Sequence, residues 1–251
     1  TLLIKEKGII AGLALAKSIF NHSDPNLKVY LMKEDGDTVN PGDIGLTVSG
    51  SAQSILTTER LVLNCMQRMS GIATKTHHFN RLIQHTSARL LDTRKTTPNF
   101  RMLEKWAVAI GGGQNHRYAL YDMVMLKDNH IDFAGGIAEA INATRAYLKD
   151  NKLDLKVEIE TRNLKEVKTV LEIGGVDIIM LDNMSPQEMK KAVTLIDKKY
   201  STEASGGINE NTIVAVAESG VDFISVGALT HQVQSLDISL KAVKYHPQTA
   251  D

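Results

Sequence analysis

The chain has 251 residues, 43% of them hydrophobic, with 29 Lys plus Arg set against 29 Asp plus Glu. That length and apolar content support one large domain, or a large and a small one, each with a packed core, and the charge balance argues against a general nucleic-acid or membrane surface. Cys65 is the single cysteine, so one chain can build neither a disulfide framework nor a thiolate metal site. No apolar run reaches the roughly 18 residues of a membrane span and no signal-peptide pattern is seen, so a reducing, cytoplasmic setting is expected.

Residues 1–56 have the texture of short strands with one helix. Leu2, Leu3 and Ile4, then Gly8, Ile9 and Ile10, predict strands, and 13–20 predicts a helix. Turn residues alternate with β-prone runs over 35–50. The chain begins at Thr1 inside a predicted strand, so further residues are expected before it. An amphipathic helix is predicted over 58–84, with Ser70-Gly71 as a break or a close-packing point. Cys65 lies on the apolar run of that helix and reads as a buried structural thiol. His77 and His78 are adjacent on it, point in different directions, and read as a polar face.

From residue 88 the pattern becomes strand, polar end residue, helix, repeated. Strands are predicted at 89–92, 123–127, 155–160, 177–182, 200–205 and 221–227. Phe100, Leu103, Trp106, Ala107 and Ile110 form one helical stripe, and Ser185, Pro186 and Glu188 a capping box with Pro at the first helical position. Gly175-Val176-Asp177-Ile178-Ile179 is echoed by Gly220-Val221-Asp222-Phe223-Ile224. Strands alternating with helices make a parallel sheet, and the repeated units with their internal echo favour a barrel over an open sheet.

In such a barrel the chemistry gathers at the C-terminal strand ends. Here those ends carry Arg94 and Lys95, Lys127, Glu160, Asp182, Ser205 and Gly227. Arg94, Lys95, His116, Arg117 and Lys127 make a local cationic group suited to carboxylates and phosphates, because guanidinium forks match paired oxygens. The competing reading is a structural ion-pair network with Glu160 and Asp182. What speaks against it is the recurrence of a functional side chain on one strand end after another. His116 follows Gly111-Gly112-Gly113 and is expected to donate to the same anion as Arg117. Glu160 and Asp182 fit Mg²⁺ or sugar hydroxyls. Glu158, two residues before Glu160, points to the same side one layer deeper and reads as support. Ser205-Gly206-Gly207 and Gly227 free backbone N–H groups for a phosphate. The set therefore asks for a phosphate, a sugar or metal–pyrophosphate portion, and a second anionic portion. Phosphoribosyl diphosphate with a carboxylated ring meets all three.

The motifs ERLVLN (from Glu59), SGIAT, LDTRKTTP, GGGQNHR, LKDNH, VEIE, LDN, EASGGI and SVGALTH (to His231) stand in this order along the chain. In this the sequence resembles the quinolinate phosphoribosyltransferase family, with weaker similarity reaching back to Thr1. Asn99-Phe100 stands where that family often has Gly-Leu. The resemblance implies an N-terminal α/β sandwich, 1–70 with 232–251 joined through a C-terminal helix. Beside it, over 71–231, stands an incomplete α/β barrel with parallel strands. It implies phosphoribosyl transfer to quinolinate with decarboxylation, giving nicotinate mononucleotide, a precursor of NAD. It also implies a homodimer, with higher assembly open, whose active sites are shared through Arg60 of the neighbour; from the residues alone Arg60 is only a first-turn helix residue.

Quinolinate would then meet Arg94, His116, Arg117, Lys127 and the neighbour's Arg60. Lys95, Glu160, Asp182, Ser205, Gly206, Gly207, Gly227 and His231 would meet phosphoribosyl diphosphate, with Mg²⁺ on Glu160 and Asp182, directly or through water. Lys95, Lys127, Glu160 and Asp182 carry the chemistry. No organic cofactor, nucleic acid or membrane is expected. The alternative within the same fold is a nicotinate phosphoribosyltransferase or a molybdenum-transport-associated relative. A nicotinate enzyme needs to bind only one carboxylate, and the full cationic set argues against it. An aldolase with Lys127 as Schiff base would need an apolar pocket, which the surrounding acids and arginines do not provide.

Overall fold

The computed structural model describes residues 1–243. The first elements are β1 (Leu2–Ile4), β2 (Gly8–Ile9), α1 (Leu13–Ser23), β3 (Lys28–Leu31), β4 (Thr38–Val39), β5 (Ile44–Ser49) and α2 (Ala52–Ile83). Next come β6 (Arg89–Leu91), α3 (Arg101–Ile110), β7 (Val124–Leu126), α4 (Asp128–Ala134), α5 (Ile137–Asp150), β8 (Val157–Thr161) and α6 (Leu164–Ile173). The chain continues through β9 (Ile178–Asp182), α7 (Pro186–Ile196), β10 (Ser201–Ser205), α8 (Ile213–Ala217), β11 (Phe223–Ser225), α9 (Ala228–His231) and β12 (Ile238–Leu240). Two compact units result. One holds 1–77, 99–112 and the segment from 232 onward; the other holds 78–98 and 113–231.

In the first unit an antiparallel sheet runs in the order β12-β1-β5-β3, and β2 pairs with β4. Alternation on β1 turns Leu2 and Ile4 into the core. There they meet Leu13, Ala16 and Phe20 from one face of α1, together with Leu46 and Met66. Helix α2 starts before the predicted residue 58 because Ser51 Oγ accepts the Ser54 N–H at 3.3 Å, an N-cap contact. It runs unbroken through Ser70-Gly71. Ser70 Oγ accepts the Ala11 N–H at 2.9 Å, and a Cβ on Gly71 would collide with the Gln234 carbonyl, so this is a close-packing point. Cys65 is buried, and His77 and His78 are exposed.

Two expectations for this unit are corrected. The buried face of α3 is Glu104, Lys105, Ala107 and Val108, while Trp106 of the predicted stripe is 38% exposed. Glu104 tolerates burial because Arg68 Nη2 lies 2.6 Å from its carboxylate. The segment expected to join as a C-terminal helix is instead the strand β12, which pairs Leu240 with Leu2 and Ile238 with Ile4; residues 244–251 of the predicted 232–251 stretch lie outside the described residues. Asn99, the departure from the family's glycine, adopts φ 61°, a left-handed conformation that Asn tolerates better than most residues.

The second unit is an open α/β barrel. Its parallel sheet runs β6-β11-β10-β9-β8-β7, so sequence order is cyclic and the opening falls between β6 and β7. A lone bridge from Leu91 to Gln114 borders that opening. All six predicted strands are present. The internal echo has a structural cause: Asp177 accepts the Val157 N–H at 2.7 Å, and Asp222 accepts the Thr202 N–H at 2.8 Å. Each aspartate thus ties the start of its own strand to the start of the preceding one. Parallel strands place their C-terminal ends on one side, and the strand-end side chains singled out from the sequence gather there.

Candidate active site at the barrel mouth

Lys127 leaves the end of β7 and its Nζ lies 2.8 Å from Glu160 Oε1 on β8. The Asp128 N–H, at the start of α4, donates to the other Glu160 oxygen at 3.3 Å. On the next strand Asp182 is half-buried; burial raises its carboxyl above the usual range, and the nearby Glu160 and Asp128 charges add to this against Lys127. Carboxylates therefore outnumber the one lysine among them. A hard, oxygen-seeking divalent cation such as Mg²⁺ fits this donor set.

The loops after β9, β10 and β11 complete the rim. Asn183 adopts φ 53°, its Nδ2 donates to Asp182 Oδ2 at 2.7 Å, and its N–H donates to the Ser205 carbonyl at 2.9 Å. Gly206, at φ 96°, lies so close that an added Cβ would collide with the Asn183 side chain. Gly207 has φ 62° and open space beside it. A Cβ on Gly227 would sit 3.0 Å from His231 Nε2 and 3.1 Å from Lys95 Cδ, so Lys95 and His231 flank that glycine. Thr230 Oγ1 donates to the Lys95 carbonyl at 2.8 Å and joins the first strand's loop to the last.

Arg94 and Arg117 form the cationic side. Arg94 Nε is buried with no hydrogen-bond partner, an orphaned donor of the kind an anion would satisfy. Arg117 Nη1 donates to the Met123 carbonyl at 3.2 Å. Burial and the neighbouring Arg94 charge lower the Arg117 pKa, while Glu158, Asp122 and Glu160 oppose that shift.

His116 departs from expectation. Instead of facing an anion beside Arg117, its side chain is only 6% exposed and its Nε2 lies 3.1 Å from Glu158 and 3.3 Å from Glu203, both buried in the barrel interior. Two carboxylates inside the barrel draw the ring inward more strongly than a solvated mouth can. Burial alone would lower the imidazole pKa, but the two carboxylates push it up to about 10. Burial and Glu203 push Glu158 up to about 7, against the pull of His116. Arg60 belongs to the other compact unit and is exposed on α2.

The structure thus groups Lys127 with Glu160 and Asp182, Lys95 with Gly227 and His231, and Ser205-Gly206 with Asn183. Asn183 and Glu203 were not singled out from the sequence. A non-glycine positive φ leaves no signature in LDN, whereas the acid inside the strand run STEAS was a readable signal of a buried charge.

The chain is similar to known proteins along most of its length. A family model described as quinolinate phosphoribosyl transferase, N-terminal domain, matches residues 1–70, and its C-terminal-domain counterpart matches 72–241. The chain is 51% identical to the nicotinate-nucleotide pyrophosphorylase (carboxylating), chloroplastic, of Arabidopsis thaliana, covering 95% of this chain and 72% of that protein. It is 43% identical to the probable nicotinate-nucleotide pyrophosphorylase (carboxylating) of Bacillus subtilis, covering 95% and 81%. The crystal structure of NadC from Streptococcus pyogenes superposes with a TM-score of 0.92 at 41% identity, covering 98% of this chain and 85% of that one.

Proposed function

This chain belongs to the quinolinate phosphoribosyltransferase family, and from that premise we propose how its barrel mouth carries out the reaction. The activity is that of a nicotinate-nucleotide pyrophosphorylase (carboxylating): a phosphoribosyl group is joined to quinolinate with loss of CO₂, on the path to NAD. The observation that carries the residue assignment is the facing of Arg94, Arg117 and Lys127 by Glu160 and Asp182, all at one end of one parallel sheet.

Arg94, Arg117 and Lys127 hold the two quinolinate carboxylates, with Arg60 of a partner subunit. Phosphoribosyl diphosphate lies across the acidic rim. Its 5-phosphate meets the loops of Ser205, Gly206, Gly207 and Gly227, with His231 beside Gly227, and Lys95 holds its pyrophosphate end. Glu160 and Asp182 hold the ribose hydroxyls and stabilise positive charge growing at the anomeric carbon. They would also hold Mg²⁺, directly or through water, and that ion would supply charge neutralisation for the departing pyrophosphate. The bond from the anomeric carbon to the pyrophosphate oxygen breaks, and the ring nitrogen forms the new bond. The resulting pyridinium accepts the electron pair as the adjacent carboxylate leaves as CO₂, and a proton from water completes nicotinate mononucleotide. The substrate is its own electron sink, so no organic cofactor is needed.

A homodimer is proposed on the exposed apolar side chains of the first unit, Tyr30 and Met32 near β3 and Leu61 on α2, each more than half exposed. A reducing compartment suits the single buried Cys65, and the cytoplasm is the one proposed; imaging a tagged full-length protein tests it. No helix among the described residues is long and apolar enough to cross a membrane.

The decisive assay follows nicotinate mononucleotide and CO₂ from quinolinate and phosphoribosyl diphosphate, with nicotinate as competitor. Quinolinate is expected to be consumed and nicotinate ignored; equal use of nicotinate would refute the dicarboxylate assignment. Chelating divalent metal is expected to stop turnover, and full activity without it would remove Mg²⁺ from the scheme.

A further inference from the structure

Beneath the cationic side of the mouth lies a group that the reaction as drawn does not use. Glu158 on β8 and Glu203 on β10 flank β9 in the sheet, and both are fully buried. None of their four carboxylate oxygens meets a hydrogen-bond partner with good geometry among the described residues. What they close on is His116 Nε2, at 3.1 and 3.3 Å. Buried carboxylates left in this way are costly unless they hold something in place.

The other side of the imidazole shows what is held. His116 Nδ1 accepts the Arg117 backbone N–H at 2.7 Å, and the His116 N–H donates to Asp92 Oδ1 at 2.8 Å. Asp92 is itself fully buried at the end of β6. The two residues that deliver the Arg117 guanidinium to the mouth are therefore pinned at their backbone, one by Asp92 and one by the ring. The carboxylates favour an imidazolium, whereas the backbone N–H on Nδ1 requires the neutral ring. The clamp needs only the hydrogen on Nε2, which both of these forms carry.

In either form Nε2 carries a hydrogen. It has no lone pair for a metal ion, although the three ligand atoms lie within 4.8 Å of one another. Its hydrogen faces the two glutamates.

We infer that Glu158 and Glu203 are positioning residues for quinolinate: they clamp His116 from inside the barrel, and through its Nδ1 they fix the Arg117 backbone so that the guanidinium is preset at the mouth. This rests on the quinolinate assignment above. Glu158 has a second effect, because its charge offsets part of the Arg94–Arg117 repulsion. Glu203, two strands away and closing on the same nitrogen, acts through the ring.

The test uses Glu203→Gln, which keeps the shape and removes the charge, His116→Asn, and the double variant. Quinolinate and phosphoribosyl diphosphate affinities are measured separately by calorimetry, alongside kcat and KM. Glu203→Gln is expected to weaken quinolinate about tenfold, the size of an ordinary network coupling, and to raise its KM while kcat at saturation is largely kept. Phosphoribosyl diphosphate affinity should stay within about twofold, below the scale of a lost charged contact. The double variant should be no worse than His116→Asn alone. Unchanged quinolinate affinity, additive losses, or an equal loss for both substrates would overturn the inference. The unaltered protein supplies a second readout that does not depend on any variant folding. In ¹⁵N-histidine spectra, one ring N–H protected from exchange should persist when quinolinate is added. Its absence, or its displacement on binding, would mean that His116 serves the substrate directly, and a stoichiometric metal retained by the purified protein and lost in Glu203→Gln would mean that the cluster is an ion site. Failure of the unaltered protein to use quinolinate at all would instead refute the function on which the inference stands.

Discussion

Arg94 and Lys127 arrive at the same mouth with different surroundings, and their variants should differ accordingly. Arg94 Nε is buried without a partner, so its anion contact would be poorly screened. Arg94→Ala is expected to cost about 2–5 kcal/mol in transition-state binding, as for a truncated buried charge pair. The Lys127 side chain is 47% exposed and already paired with Glu160, so Lys127→Ala should cost less, because solvent screens it. Quinolinate kcat/KM checks both, and near-normal efficiency in Arg94→Ala would remove the arginine from the site. Gly206 makes a different kind of contribution. Its φ of 96° and its contact with Asn183 exclude a side chain. Gly206→Ala should therefore strain the loop by roughly 1–2 kcal/mol. The KM for phosphoribosyl diphosphate should rise while quinolinate affinity is unchanged, and the reverse pattern would reassign the loop.

At the level of elements, caps and registers hold these side chains in place. Helix α7 begins with a complete box: Ser185 Oγ accepts the Glu188 N–H at 3.3 Å, and Glu188 accepts the Ser185 N–H at 3.0 Å. These contacts, backbone first, hold the Glu188 carboxyl below its ordinary range. Ser185→Ala should lower stability by about 1 kcal/mol in urea unfolding and leave turnover untouched, since Ser185 stands outside the proposed substrate contacts; no change in stability would show the cap to be idle. The box was legible because its residue types and spacing are local. The face of α3 was not, because Glu104 goes inside only when Arg68, far away in sequence, is there to meet it.

The whole molecule adds the question of shared sites. If a partner subunit's Arg60 completes each site, Arg60→Ala and Arg94→Ala should each be severely impaired alone and should complement when mixed. Each mixed dimer would then hold one site with both defects and one with neither. Random exchange makes about half the dimers mixed, so activity should return toward about a quarter of the unaltered enzyme's. No recovery, with subunit exchange confirmed by a labelled subunit, would assign Arg60 to its own chain or to no site.

What the amino-acid sequence determined by itself was whatever depends on neighbours along the chain. The period of each strand and helix, the capping box before α7, the glycine-rich turns and the acid or base at each strand end all follow from local stereochemistry and patterning, and six strands alternating with helices already imply a barrel. Tertiary structure decided what depends on residues brought together from afar. The opening between β6 and β7, the pairing of β12 with β1, and the inward turn of His116 toward Glu158 and Glu203 each join segments many residues apart. A histidine after three glycines reads as a mouth residue. Only packing shows two buried carboxylates at its Nε2, and the cost of leaving them unpaired outweighs the pull of a solvated anion site.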